Sequence, residues 1–119
     1  MPTQPLVLRL TDIIEAVRHV RAELSGTTLD DFEADWRKRW LVERGLEIVS
    51  EASRHLTEEL KARHPAIPWP KVAGIGNILR HEYQRVAAPI LWKLVRDDLP
   101  ELEVACVEEL GRLSPPINS

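Results

Sequence analysis

The sequence has 119 residues, of which 44% are hydrophobic and 29% are charged, and its formal net charge is −3 at pH 7. This balance is typical of one globular domain that buries a core without metal or disulfide crosslinks. A single cysteine excludes an internal disulfide and suits a reducing environment. The acidic balance argues against a general nucleic-acid coat protein, which would carry a broad basic surface. We recognise neither a signal peptide nor an apolar run of membrane-spanning length, and we therefore expect a soluble, cytoplasmic protein.

The first two predicted helices follow from apolar spacing and from capping residues. Apolar side chains recur every three or four positions, as on one helix face, until Ser25 and Gly26 end the pattern. Thr28, with Asp31 three residues later, predicts a capped second helix over residues 29–34. The face of the first helix consists of Leu10, Ile13, Ile14, Val17, Val20 and Leu24.

A long third helix is predicted over residues 35–60, before a proline-rich break at residues 64–68. Alternating charges along one line of this helix usually mark a solvent-exposed, salt-bridged face, although they would also suit a cleft or a subunit interface. These charged residues are Arg44, Glu47, Glu51 and Arg54. The predicted buried stripe consists of Leu41, Ile48, Val49, Ala52, Leu56 and Leu60.

The remaining helices are predicted from prolines and a second cap. A fourth helix should begin at Trp69, followed by a proline that is tolerated in the first turn, and should extend to residue 83. Residues 88–97 should form a fifth helix. Asp98 and Glu101 have the spacing of a capping box that would open a sixth helix ending near residue 111. With no alternation typical of strands, the predicted fold is a single all-α domain of about five to six helices, followed by a loose tail at residues 114–119.

The four tryptophans leave two possibilities open. Trp36 and Trp40 flank a basic run and share one helix face, which favours a place in the core or at an interface over a base-stacking platform. Together with Trp69 and Trp92, they would leave apolar surface for a second subunit to cover, or they would fill the monomer core.

The fourth helix carries the group of side chains best suited to chemistry. A guanidinium grips phosphate, and an imidazole moves protons near neutral pH. Together they suffice for metal-free cleavage of RNA, in which the ribose 2′-hydroxyl attacks the adjacent phosphorus. A polar helix face is more often simply solvated, so spacing alone leaves both readings open. The polar residues are Asn77, His81 and Gln84 on one face and Gly76, Arg80 and Tyr83 on the next, with Val72, Ile75, Ile78 and Leu79 predicted on the buried side.

Three segments of the sequence resemble the HepT-like proteins of the HEPN superfamily. They are residues 67–83 (IPWPKVAGIGNILRHEY), residues 44–52 (RGLEIVSEA) and residues 95–102 (VRDDLPEL), and the similarity extends over about residues 8–113. The resemblance implies an antiparallel helical bundle that forms a homodimer. It also implies a metal-independent, cofactor-free ribonuclease that acts as the toxin of a type VII-like toxin–antitoxin pair. The implied partner is a minimal nucleotidyltransferase antitoxin, which transfers AMP to a tyrosine of the toxin; neither DNA nor a membrane is implied.

The family motif consists of arginine, any four residues, histidine, any one residue and tyrosine. The resemblance assigns its histidine to His81, its tyrosine and AMP acceptor to Tyr83, and a neighbouring polar residue to Asn77. The motif arginine would fall at position 76, where this chain has Gly76. Arg80 lies one turn further along the same face, and we hypothesise that it reaches back into the vacated space. The alternative is a degenerate module that binds the nucleotidyltransferase, a nucleotide or RNA without cleaving it.

Overall fold

The structure is a computed structural model that describes residues 3–82 and 88–113. The described residues contain no strand, which confirms the predicted all-α class. Helix α1 packs against α3 and α7, and α5 packs against α3. The helices are α1 (Thr3–Leu24), α2 (Leu29–Ala34), α3 (Trp36–Ser53), α4 (Glu58–Ala62), α5 (Trp69–Glu82), α6 (Ala88–Lys93) and α7 (Leu99–Leu113), with a π-helical turn at Leu94–Asp98.

The turn between α1 and α2 matches the sequence prediction. Gly26 has a φ of 74°, a left-handed conformation that glycine adopts without steric cost after a helix end. The backbone nitrogen of Asp31 donates to Thr28 Oγ1 at 3.1 Å, and the Thr28 nitrogen donates to Asp31 Oδ2 at 3.4 Å. This reciprocal capping box fixes the start of α2.

The predicted third helix is wrong in its last turns. Helix α3 ends at Ser53, and α4 is a separate helix whose N-cap, Thr57, accepts a hydrogen bond from Leu60 N at 3.1 Å. The threonine hydroxyl competes with the helical backbone bonds and restarts the helix there. Leu56 and Leu60 are still buried, so the apolar pattern continued across the break. Leu41, predicted in the buried stripe, is 37% exposed.

The sixth helix begins at Leu99, directly after the predicted cap residue Asp98, but it continues a π-helical turn instead of starting from a separate cap. The chain passes from α6 through the π-helical turn into α7, and the Leu99 nitrogen donates to Leu94 O. Because Leu99 itself has helical backbone angles, no non-helical N-cap separates the two segments. The Asp98 carboxylate instead pairs with Lys71 Nζ at 2.9 Å, and this ion pair connects the π-helical turn to α5.

The tryptophans divide between the interior and the surface. Trp69 is buried and Trp92 is half-buried, whereas Trp36 and Trp40 are 56% and 65% exposed. The rings of the exposed pair pack edge to face with centroids 4.8 Å apart. A core position for Trp36 and Trp40 was therefore a wrong expectation, and their role at an interface stays a prediction.

Two further observations limit where chemistry is expected. Cys106 lies in the core, where burial raises the pKa of its thiol to about 12, so it is not a reactive nucleophile. Within residues 3–82 and 88–113, no helix has the length and apolar character needed to cross a membrane.

Candidate active site on helix α5

The start of α5 is held in place by a buried tryptophan. The indole nitrogen of Trp69 donates to Lys61 O at 3.2 Å and to His64 O at 3.1 Å, the carbonyls that end α4 and begin the following turn. Because both acceptors belong to the segment before α5, these bonds fix the position and direction in which the helix begins.

The middle of α5 is bound to α3 by one buried hydroxyl. Ser50 Oγ accepts a hydrogen bond from Gly76 N at 3.0 Å and donates one to Ala73 O at 2.7 Å. Arg54 also donates to Ala73 O, from Nε at 3.2 Å and from Nη2 at 2.9 Å. A hydroxyl that bonds the backbone of a neighbouring helix brings the two helix axes close together. Sequence reasoning missed this contact, although Ser50 is a polar residue within a buried stripe.

Gly76 lies where this contact leaves the least space. A Cβ atom at position 76 would lie 3.0 Å from Ser50 Oγ and 3.3 Å from Nη1 of Arg80. The guanidinium of Arg80 therefore folds back along α5 until it reaches the point where a side chain at position 76 would begin. The close approach of α3, rather than an unusual backbone conformation, gives glycine its place here.

The polar residues of the candidate site lie on the outer side of α5. Asn77, Arg80 and His81 are all exposed, and Arg80 and His81 occupy the last turn, where positive charge is favoured by the helix dipole. Among the described residues, no carboxylate lies within ion-pair distance of Arg80 or His81. Tyr83 and Gln84 lie outside the described residues.

The buried side of α5 differs from the prediction at one position. Val72, Ile75 and Leu79 are buried as expected, but Ile78 is 47% exposed. Ile78 precedes His81 by three residues and so borders it on the helix surface. An apolar patch thus lies beside the histidine.

The charged residues predicted along one line of α3 have different surroundings. Arg44 is exposed and lines a groove between α1 and α3, and Glu47 is half-buried. Glu51 pairs with His55 Nε2 at 3.0 Å and with Arg54 Nη1 at 3.4 Å. The hydrogen bond from His55 lowers the pKa of the Glu51 carboxyl. Glu51 thus belongs to a salt-bridged surface, and a role for these residues in a cleft or a subunit interface stays a prediction.

Comparison with known proteins identifies the family. The profile of the family described as "Ribonuclease HepT-like" matches residues 13–109 of this chain. The chain belongs to this HepT-like family. The "Probable ribonuclease HepT" of Thermococcus cleftensis is 36% identical over 79% of this chain and 86% of its own length. "Putative RNase MJ1380" of Methanocaldococcus jannaschii is 33% identical over 79% of this chain and 86% of its own length. A third relative, "Putative RNase TTE0752" of Caldanaerobacter subterraneus, is 32% identical over 87% of this chain and 92% of its own length. No solved structure matched the chain.

Membership of the HepT-like family places the chain in the HEPN superfamily. It is also the reason why the residue at position 76 matters. The motif expected from the resemblance has arginine there, whereas this chain has a glycine against which Arg80 packs. The guanidinium of Arg80, from one helical turn further along the chain, thus lies beside the position at which the motif arginine would leave the helix.

Proposed function

We propose that this protein is a metal-independent RNA endonuclease in which Arg80 supplies the positive charge that the family motif places at position 76. The observation that carries the proposal is the position of Arg80 Nη1, 3.3 Å from the point where a Cβ of residue 76 would lie. Because the described residues place no carboxylate against this guanidinium, its charge is available for a phosphate.

The reaction requires one proton acceptor, one proton donor and one cation. The ribose 2′-oxygen loses its proton to a base and forms a bond to the adjacent phosphorus. The bond from phosphorus to the 5′-oxygen then breaks, and that oxygen takes up a proton. The products are a 2′,3′-cyclic phosphate and a 5′-hydroxyl. His81 serves as the general acid or base, and Arg80 stabilises the negative charge that develops on the phosphoryl oxygens.

Asn77 and Ile78 extend the proposed site. Asn77 lies four residues before His81 on the same face, where its amide donates to the phosphate. The exposed Ile78 borders this face and supports a subunit contact beside the histidine. In the proposed homodimer the two copies of Arg80 and His81 face one cleft, to which Arg44, Glu47 and Glu51 are candidate contributors.

The biological role that we propose is that of the toxin in a toxin–antitoxin pair. A minimal nucleotidyltransferase would be the antitoxin and would neutralise the toxin by transferring AMP from ATP to the hydroxyl of Tyr83, with release of pyrophosphate. Family membership supports this part of the proposal. We also propose that the protein is cytoplasmic and that its activity needs no cofactor. Incubating the pure protein with the nucleotidyltransferase encoded beside it and ATP should add the mass of one AMP, and Tyr83→Phe should abolish the addition. An unmodified wild-type protein would exclude this partner.

Cleavage is tested directly with labelled RNA in the presence of a metal chelator. We expect the wild-type protein to release products that end in a cyclic phosphate. His81→Ala should slow cleavage by about 10²–10⁴-fold, because a positioned proton-transfer group contributes roughly that factor. Since His81 is exposed, the variant should unfold at the same temperature as wild type.

The same assay distinguishes the alternative function. If wild type and His81→Ala bind RNA or the nucleotidyltransferase equally well and neither cleaves RNA, the protein is a non-catalytic binding module. The glycine at position 76 is the observation that favours this alternative. Cleavage that requires added metal would contradict the proposed mechanism.

A further inference from the structure

A second group of arginines lines a cavity that contains no residue of α5. The cavity has a volume of about 370 Å³ and lies between the turn after α1 and the π-helical turn before α7. This volume is within the range of small-molecule sites, roughly 300–1,000 Å³. Its polar lining includes Arg21, Ser25, Thr27 and Arg96, next to the ring of Trp92.

The arginines around this cavity exceed the carboxylates that pair with them. Arg21 Nη1 and Arg18 Nε bind the two oxygens of the same carboxylate, Glu103, at 2.8 and 2.9 Å. The hydrogen bond from Arg18 lowers the pKa of Glu103, so its single negative charge is retained. Arg96 has its guanidinium carbon 5.9 Å from the centre of the Trp92 ring, and within the described part of the chain it pairs with no carboxylate. Two guanidiniums therefore share one carboxylate, and the third has none among the described residues.

The end of α1 would by itself repel an anion, but its carbonyls are occupied. Ala22 O accepts from Ser25 N at 3.3 Å, and Leu24 O accepts from Thr27 N at 3.0 Å. Glu23 O accepts from Lys38 Nζ and from Thr27 Oγ1, both at 3.4 Å. These donors reduce the negative potential of the helix end beside the two arginines.

The π-helical turn explains how Arg96 comes to line this cavity. A π turn places one extra residue in a helical turn, and such turns are frequent at functional sites. The turn is flanked by Trp92 and Pro100, which both line the cavity. The ring of Trp92 also contacts the ring of Phe32, with centroids 5.8 Å apart. Arg96 lies within the turn and stacks on Trp92 rather than pairing with an acid, which holds its donors near those of Arg21.

We propose that this cavity binds a phosphate monoester, carried either by a free nucleotide or by the 5′ end of an RNA chain. Arg21 and Arg96 would supply charged donors, and the hydroxyl of Ser25 would add a further hydrogen bond to the phosphate oxygens. The Thr27 hydroxyl also lines the cavity but donates to Glu23 O at 3.4 Å. This site is independent of the proposed cleavage chemistry, because it includes neither Arg80 nor His81.

Binding is measured by calorimetry on the full chain with uridine 5′-monophosphate, with uridine as the control that lacks the phosphate. We expect the monophosphate to bind and uridine not to bind. Arg96→Gln and Arg21→Gln should each weaken binding about tenfold, the factor expected from losing one hydrogen bond to a charged group. Arg37→Gln is the matched control: Arg37 also stacks on a tryptophan, at 5.3 Å from the Trp36 ring, but lies outside this cavity.

A second set of ligands separates the two sources of phosphate. A short 2′-O-methyl oligoribonucleotide, which the protein cannot cleave, is compared with and without a 5′-phosphate. Preference for the phosphorylated oligonucleotide assigns the site to RNA ends, whereas binding of the mononucleotide alone assigns it to a free nucleotide. Equal binding of uridine and its monophosphate, an equal loss in Arg37→Gln, or no binding of any phosphorylated ligand would each overturn the proposal.

Discussion

Two groups of charged side chains in this protein have opposite surroundings. Glu109 is only 3% exposed, and its carboxylate accepts hydrogen bonds from Arg63 at 2.6 and 3.1 Å and contacts His64 Nε2 at 2.7 Å. Arg80 and His81, at the end of α5, are exposed and have no carboxylate partner among the described residues. In the first group a buried carboxylate has both oxygens bound by neighbouring cations, whereas in the second the described residues place no acid against exposed cationic side chains.

The difference separates stability from function. Buried charges contribute to folding only when they are fully paired, and losing one partner leaves the rest uncompensated. Exposed charges without a partner contribute little to folding, so they can be replaced without destabilising the protein. Substitutions in the two groups should therefore affect different measurements.

After His81→Ala, the largest effect is expected from Arg80→Ala on RNA cleavage. Loss of the charge that stabilises the phosphoryl oxygens should reduce the cleavage rate by about 10²–10³-fold, with no change in unfolding temperature. Arg80→Lys should recover part of the activity, because lysine keeps the positive charge but cannot form the bidentate hydrogen bonds of a guanidinium. Arg37→Ala, on an exposed part of α3, is the control for general loss of positive charge. Full activity in Arg80→Ala would show that another residue supplies the cation.

A smaller effect, on stability alone, is expected from Glu109→Gln. The hydrogen bond from Arg63 is the first cause that lowers the pKa of Glu109 from 4.5 to about 2. A shift of this size corresponds to roughly 3 kcal/mol of folding free energy at neutral pH. Glu109→Gln should lose about that much in a denaturant titration, whereas Glu108→Gln, at an exposed neighbouring position, should lose almost nothing.

The same carboxylate predicts how stability depends on pH. Because the pKa of Glu109 is lower in the folded state, its contribution is present above pH 4.5 and is lost as the pH falls towards 2. The difference in unfolding free energy between wild type and Glu109→Gln should therefore shrink over this range. A constant difference from pH 7 to pH 2 would contradict the assignment.

The smallest effects are expected from a pair of glycines on α5. In Gly74→Ala the new methyl group meets no atom within 4 Å, so the variant should gain about 0.5–1 kcal/mol from helix propensity. In Gly76→Ala the methyl group would press on Ser50 Oγ and Arg80 Nη1. We expect this variant to be about 1 kcal/mol less stable than Gly74→Ala and to cleave RNA about tenfold more slowly. Equal stability and equal cleavage rates in the two variants would show that the close contact at Gly76 has no importance.

Much of the fold could be predicted because it depends on local signals. The Thr28–Asp31 capping box and the glycine turn before it are encoded within a few residues, and α2 begins and ends at the predicted positions. The break at Thr57 was missed because the apolar spacing of Leu56 and Leu60 continues across it. Apolar periodicity reports which side chains are buried, but it does not show whether the backbone between them is continuous.

The candidate site was predictable in its residue types but not in its contacts. The motif positions identify His81 and the missing arginine directly from the sequence. The contact between Ser50 and Gly76, and the backward fold of Arg80, depend on how closely α3 approaches α5. That distance is set by packing between residues 26 positions apart in the chain, and no local pattern encodes it.

The crowding around Gly76 also limits which substitutions this position tolerates. Any side chain restored at position 76 meets the Ser50 hydroxyl and the guanidinium already present there. Replacing Gly76 with arginine would thus disturb two neighbours at once, and we expect such a variant to need a compensating change at position 50 or 80. Guanidiniums carried at positions 76 and 80 would compete for the same space, so the effects of substitutions at these two positions should not be additive.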